Sequence, residues 1–151
     1  MANKQEVDLV VTKSQLQYIT PNDWVLILDK AKSLNFKKDE TLIQQGKQPA
    51  TVFVVMDGSA KIRNGFGVTI ARIRPGEICG EMAFLENTYA SASVVAEEAM
   101  VVYGIDWPIL QGLFELYPHL ASRFYRSLAV SLSRRLRGQI SRIPEGGLKA
   151  T

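Results

Sequence analysis

Apolar and polar positions follow two rhythms along the chain, and the change between them divides it into zones. Residues 1–13 read as a mobile lead-in. Thr20-Pro21-Asn22-Asp23 is a helix start, a capping residue followed by a proline with preset φ. Trp24, Leu26, Ile27 and Ala31 then recur at helical spacing, which predicts a short helix over residues 21–32. The next zone consists of short β-rich runs: Thr41 to Ile43, Thr51 to Met56, Ala60 to Ile62, Val68 to Ala71, Ala92 to Ala96 and Ala99 to Tyr103. Turn signals separate them at Gly46-Lys47, Asp57-Gly58, Asn64-Gly65-Phe66-Gly67 and Pro75-Gly76, and Gly104 closes the last run. Closely spaced strands with glycine turns predict a sandwich or small barrel. Asn64-Gly65 suits a primed hairpin turn, because positive φ costs Gly nothing and Asn little.

The last third is helical. Trp107 to Leu116 holds Ile109, Leu110, Leu113 and Phe114 and predicts a short apolar helix. Pro118 restarts a second one, with Leu120, Phe124, Leu128, Leu132 and Leu136 spaced four apart as an apolar stripe. Gly138 frays this helix, and Pro144 with Gly146-Gly147 ends it. The order is helix, β-rich body, two helices. It makes one domain over residues 14–143 with a flexible tail over 144–151.

Composition narrows the class. A chain of 151 residues fits one domain, and 46% hydrophobic with 22% charged residues argues against disorder. The single cysteine, Cys79, excludes an intrachain disulfide and reads as a small buried apolar residue. It suits a reducing compartment. No run reaches the roughly 18 apolar residues of a membrane span, and Met1 to Asp8 has no signal region, so the expected location is cytoplasmic. Charge is uneven, with +6 over residues 116–151 and −3 over the rest. A basic end can mark nucleic acid or membrane contact. Here no aromatic residue interleaves with Arg134, Arg135 and Arg137, and a solvated arginine face accounts for them.

Catalytic chemistry finds little to stand on. The one histidine, His119, sits beside Pro118 at a helix start and reads as a solvated or capping residue. It is too few for a metal centre of the cupin-like barrel type, and a lone Cys79 excludes cysteine-based zinc sites. There is no Walker-type loop and no Gly-x-Gly-x-x-Gly. The expectation is no enzyme, no catalytic residue and no metal.

One stretch carries information. Arg74-Pro75-Gly76-Glu77-Ile78-Cys79-Gly80-Glu81-Met82-Ala83-Phe84-Leu85 is followed by Ala90-Ser91-Ala92-Ser93-Val94-Val95-Ala96. It reads as turn, short strand, tight glycine, short helix, loop and strand. A helix opening after Gly80 turns free N–H groups outward, which suits an anion. Glu81 is placed to accept a sugar hydroxyl or simply to complement the helix dipole.

Together with Phe36 through Gly46 and Val52 through Ile62, these segments resemble the cyclic nucleotide-binding domains. These include the sensor domains of catabolite-activator-type regulators, cyclic-AMP-dependent kinase regulatory subunits and nucleotide-gated channels. The resemblance covers residues 15–140 or so, nearly the whole chain. It implies an α+β fold that is mainly β. An eight-stranded β-roll, or jelly roll, would be flanked by an N-terminal helix, a short phosphate-cassette helix and two C-terminal helices. It places the cassette on Gly80, Glu81, Met82, Ala83, Ala90, Ser91 and Ala92, with Glu81 on the ribose hydroxyl and the N–H groups of Met82 and Ala83 on the cyclic phosphate.

This sequence departs from the pattern at one point. The family's phosphate-pairing arginine falls on Ala90. A buried phosphate favours a fork-shaped cation. Truncating one member of such a pair costs about 2–5 kcal/mol, or a 30- to several-thousand-fold loss of affinity. The implied ligand, cyclic AMP or cyclic GMP, is therefore held weakly or not at all unless Arg63, Arg72 or Arg74 reaches the pocket.

The resemblance also gives the 118–137 helix two readings, pairing with its twin in a homodimer or packing back on its own roll. No DNA-binding domain fits in the few residues after Gly138. Three functions remain: a stand-alone regulatory sensor, for cyclic AMP or cyclic GMP if another arginine serves or for another small anion; a ligand-free protein-interaction or dimerisation module; and an enzyme of the related barrel type, which its histidine count opposes.

Overall fold

A computed structural model describes residues 2–142 of the chain. Helix α1 spans Lys4–Lys13 and α2 spans Pro21–Asp29. Strands follow as β1 (Lys32–Phe36), β2 (Thr41–Ile43), β3 (Thr51–Asp57), β4 (Ala60–Arg63), β5 (Thr69–Ile73) and β6 (Ile78–Cys79). After the short helix α3 (Glu81–Glu86) come β7 (Ser93–Ala96) and β8 (Met100–Asp106). Helices α4 (Trp107–Leu116) and α5 (Pro118–Arg142) complete the described part. The proposed tail over residues 144–151 lies outside the described residues.

The eight strands form two antiparallel four-stranded sheets, in the orders β1-β8-β3-β6 and β2-β7-β4-β5. Strand β3 explains the architecture. Its run of five buried residues is apolar on both faces because both faces are covered. Phe53 and Val55 point between the sheets, into a cluster with Ile43, Ala60, Cys79, Ala90, Val94 and Val102. Val52, Val54 and Met56 point the other way, into a cluster with Trp24, Leu28, Leu110, Phe124 and Leu128 of the helices. The fold is the expected β-roll with flanking helices. Cys79 is buried, and burial followed by the nearby Glu81 charge pushes its thiol far up, so it stays protonated.

Four local expectations are corrected. The lead-in over residues 1–13 contains α1, stabilised by a capping box. The Glu6 N–H donates to Asn3 Oδ1 at 2.9 Å, the Asn3 N–H donates to Glu6 Oε1 at 3.1 Å, and Val7 and Val10 are buried. Gly104 does not close its strand but sits inside β8, where a Cβ would come 2.9 Å from Thr51 Cγ2, so glycine permits a close approach. The β4–β5 turn is not a two-residue primed turn. Positive φ falls on Gly67 (75°), and the Asn64 side chain accepts from the Phe66 and Val68 N–H groups at 2.9 and 3.1 Å. Gly138 does not interrupt α5; its cost of about 1 kcal/mol relative to alanine is too small to end a helix docked elsewhere.

Helix α5 is docked along its first half. Leu120, Phe124 and Leu128 are buried, whereas Leu136 and Ile140 are 63% and 53% exposed. Packing back on its own chain thus describes the first half, Leu132 is half-buried, and beyond it Leu136 and Ile140 are left open. Polar contacts fasten the docked half to α2 and to the segment before it. Arg123 Nε and Nη2 donate to the two Asp23 oxygens at 2.7 and 2.8 Å, the Tyr18 N–H donates to Ser127 Oγ at 3.0 Å, and the Arg126 guanidinium lies 4.1 Å from the Tyr18 ring centre. Burial pushes the Asp23 carboxyl up, but the bonds from Arg123 and Thr20 outweigh it and hold Asp23 below its ordinary range. No described helix is long and apolar enough to cross a membrane.

Candidate functional site: the cassette between the sheets and the last helix

The turn over Arg74 to Glu77 leads into the candidate cassette. The Gly76 N–H donates to Val55 O at 2.7 Å and the Val55 N–H to Glu77 O at 2.9 Å, which fixes the turn on β3. Gly80 follows with φ of 87°. A side chain there would meet Thr51 O at 2.9 Å, so both conformation and space require glycine. Helix α3 then runs for six residues and stops at Asn87, which is left-handed at φ 51°.

The residues of α3 divide by face. Phe84 enters the helix-side core, edge-on to Trp107, Phe114 and Phe124 at centroid distances of 5.7, 6.1 and 6.3 Å. Ala83 is buried beside it, and Met82 and Leu85 are exposed. Glu81 is 8% exposed and lines a small cavity with Gln15, Glu77, Ser131 and Arg135. Burial raises its carboxyl above the usual range, against the opposing pull of its own backbone N–H and of the Arg135 charge. The cavity adjoins a groove of about 510 Å³ between residues 14–17 and α5. Gln15 bridges that space. Its Nε2 donates to Glu77 Oε2 at 3.1 Å, and its Oε1 accepts from Arg135 Nη2 at 3.2 Å.

A buried acid with a raised pKa binds its proton more readily folded than unfolded, so its ionisation weakens folding as pH rises through and above the unfolded value near 4.3. Glu81→Gln therefore raises the melting temperature at pH 7 and leaves it nearly unchanged at pH 4; thermal denaturation at the two pH values checks this.

The second half of the cassette faces elsewhere. Ala90 is 8% exposed and packs into the cluster between the sheets. Its backbone is tied to the β2–β3 loop, with the Ala90 N–H donating to Lys47 O and the Gly46 N–H to Ala90 O, both at 2.9 Å. Ser91 is exposed and Ala92 half-buried. The structure thus places all seven cassette positions on one continuous segment, with Glu81 turned to α5 and Ala90 turned into the roll.

The three arginines considered as substitutes are placed as follows. Arg72 Nε pairs with Glu97 Oε2 at 3.2 Å. Arg74 is exposed, and its N–H donates to Glu77 Oε1 at 2.7 Å. Arg63 lies opposite Ser93 in register, with its Nε buried and without a hydrogen-bond partner in the described residues. The sequence reading missed Gln15, Ser131 and Arg135. Only the tertiary fold brings them to Glu81, and no local motif marks them. His119 is exposed, and no described group of three or more His, Cys, Asp or Glu side chains is arranged to hold a metal ion.

Known proteins resemble this chain in sequence and fold. The chain is 29% identical over 136 residues to cyclic GMP-binding protein C of Dictyostelium discoideum, which covers 82% of the chain but 5% of that protein's length. It is 26% identical to the catabolite activator protein of Thermus thermophilus, with a TM-score of 0.69 over 83% of this chain and 59% of that one. A cyclic nucleotide-binding domain from Methylobacillus flagellatus superposes with a TM-score of 0.78 at 20% identity, covering 97% of this chain and 85% of that one. The chain spans a small part of its curated relative, and the family model described as cyclic nucleotide-binding domain matches residues 33–117. With more than half of its residues matched and the two-sheet roll in place, the chain belongs to the cyclic nucleotide-binding domain family.

Proposed function

We propose that the chain is a non-catalytic regulatory module, acting in the cytoplasm, in which binding of cyclic AMP or cyclic GMP is weakened by Ala90. One observation carries the reading. The position where the family pattern calls for a phosphate-pairing arginine is a methyl group, buried in the apolar cluster between the sheets. A cyclic phosphate brought there meets no fork-shaped cation from residue 90. Arg72, engaged by Glu97, supports the same reading. The remaining cassette features, Gly80 and the buried Glu81, are compatible with a sugar hydroxyl contact.

A second reading has its own support. Leu136 and Ile140 continue the apolar stripe of α5 into solvent, which favours a protein-interaction or dimerisation role for that helix end.

A thermal-shift panel with cyclic AMP, cyclic GMP and related cyclic mononucleotides tests the proposal. A ligand at 100 times its Kd stabilises by about 2.7 kcal/mol. For a chain of this size that is a rise of roughly 5–11 °C. The expected result is a flat panel at concentrations that saturate an arginine-bearing family site. A clear rise means that another group, with Arg63 the first candidate, holds the phosphate, and it overturns the weakened-site reading.

A further inference from the structure

The tip of the β4–β5 hairpin has no part in the cassette, yet its surface is unusual. Phe66 is 93% exposed, more than any other large hydrophobic residue described. Val68 and Ile70 follow it at 55% and 58%. Gly65 and Gly67 flank the ring, so nothing beside it in the chain shields it. From Gly58 to Gly76 the chain carries Lys61, Arg63, Arg72 and Arg74 and no carboxylate. Arg72 pairs with Glu97, and the other three form no ion pair among the described residues.

Four backbone N–H groups of the tip are bonded within the hairpin. The Phe66 and Val68 N–H groups donate to Asn64 Oδ1, the Gly67 N–H donates to Asn64 O at 3.1 Å, and the Asn64 N–H donates to Val68 O at 3.0 Å. Bonds made inside the hairpin lower the cost of taking these four donors out of water.

We propose that this hairpin tip is a contact element for an anionic lipid bilayer. Phe66 enters the boundary between headgroups and acyl chains, Val68 and Ile70 follow it, and Arg63, at the tip end of β4, with Lys61 behind it meets the headgroup charge. Three features favour a bilayer over other occupants. The ring sits beyond the end of β5, where a strand added to that sheet edge does not reach. A lone ring beside aliphatic side chains offers no row of stacking platforms for single-stranded nucleic acid. The apolar tip with cations behind it matches the layering of a lipid surface.

Sedimentation of the full chain with vesicles tests this. The probes are phosphatidylcholine alone and phosphatidylcholine with about one third phosphatidylserine. The chain is expected to pellet with the mixed vesicles and not with the neutral ones. Phe66→Ser, at an exposed position that leaves the melting temperature unchanged, reduces lipid affinity at least about tenfold. Lys61→Gln reduces it about fivefold. Phe66→Trp supplies an exposed indole, Trp24 and Trp107 being buried, and its emission shifts to the blue on the mixed vesicles.

The proposal is overturned if wild type stays in the supernatant. It is equally overturned if Phe66→Ser binds undiminished, which assigns the attraction to the arginines of α5. Lipid-free dimers abolished by Phe66→Ser would reassign the tip to a second copy of the chain. Single-stranded DNA binding lost with Phe66 would reassign it to nucleic acid.

Discussion

Ala90→Arg lowers the melting temperature of the ligand-free chain and makes that temperature respond to cyclic nucleotide. Residue 90 is buried among apolar side chains and held by backbone bonds on both sides, so a new side chain must enter the roll. An unpaired cation in such a place costs about 3–5 kcal/mol. For a chain of this size the loss is roughly 6–20 °C. A cyclic phosphate supplies the missing counter-charge, and at 100 times its Kd it returns about 2.7 kcal/mol. The signature is therefore a destabilised variant rescued by ligand, set against a wild type that ligand leaves alone. Differential scanning calorimetry of both chains with and without cyclic GMP reads it directly. A variant that loses stability and gains nothing from ligand shows that the pocket has diverged at more than residue 90.

Phe84→Ala is expected to be the most damaging single truncation in the cassette. Its ring touches aromatic partners from α4 and α5 at once, and it ties the cassette helix to the helical layer. Truncating a buried phenylalanine costs about 3–5 kcal/mol. Because α3 is only six residues long, its own hydrogen bonds cannot hold it once that anchor is gone. Both melting temperature and protease resistance near α3 should fall. Met82→Ala, on the exposed side of the same helix, leaves both nearly unchanged. Equal effects at the two positions would show that α3 is not held through Phe84.

These outcomes rest on features of unequal legibility. The β-body was readable because its strands are short apolar runs between glycine turns, and the cassette because Gly80-Glu81 stands in a spaced set of segments. Strand β1, Lys32 to Phe36, gave no signal. Its burial pattern is almost wholly exposed, and its pairing with β8 across Lys32 to Gly104 and Phe36 to Met100 defines it. Helix α1 was overlooked although Asn3 and Glu6 form a readable capping box, because charged residues obscure the two buried valines. Gly104 misled because an isolated glycine signals either a stop or a close approach, and only the packed neighbour decides between them. In the site, the bridge from Glu77 through Gln15 to Arg135 joins residues far apart in sequence, a relation no local pattern encodes.

The two-sided burial of β3 makes the roll depend on helices that lie outside the matched segment. The matched segment, residues 33–117, contains both sheets but omits α1, α2 and α5. Cut to those limits, the chain keeps its roll and loses Trp24, Leu28, Phe124 and Leu128 from over Val52, Val54 and Met56. An apolar sheet face is then left in water, which invites association between copies. The apolar core is therefore wider than the matched segment. The residues that cover the helix-side face run from Val7 of α1 to Leu128 of α5.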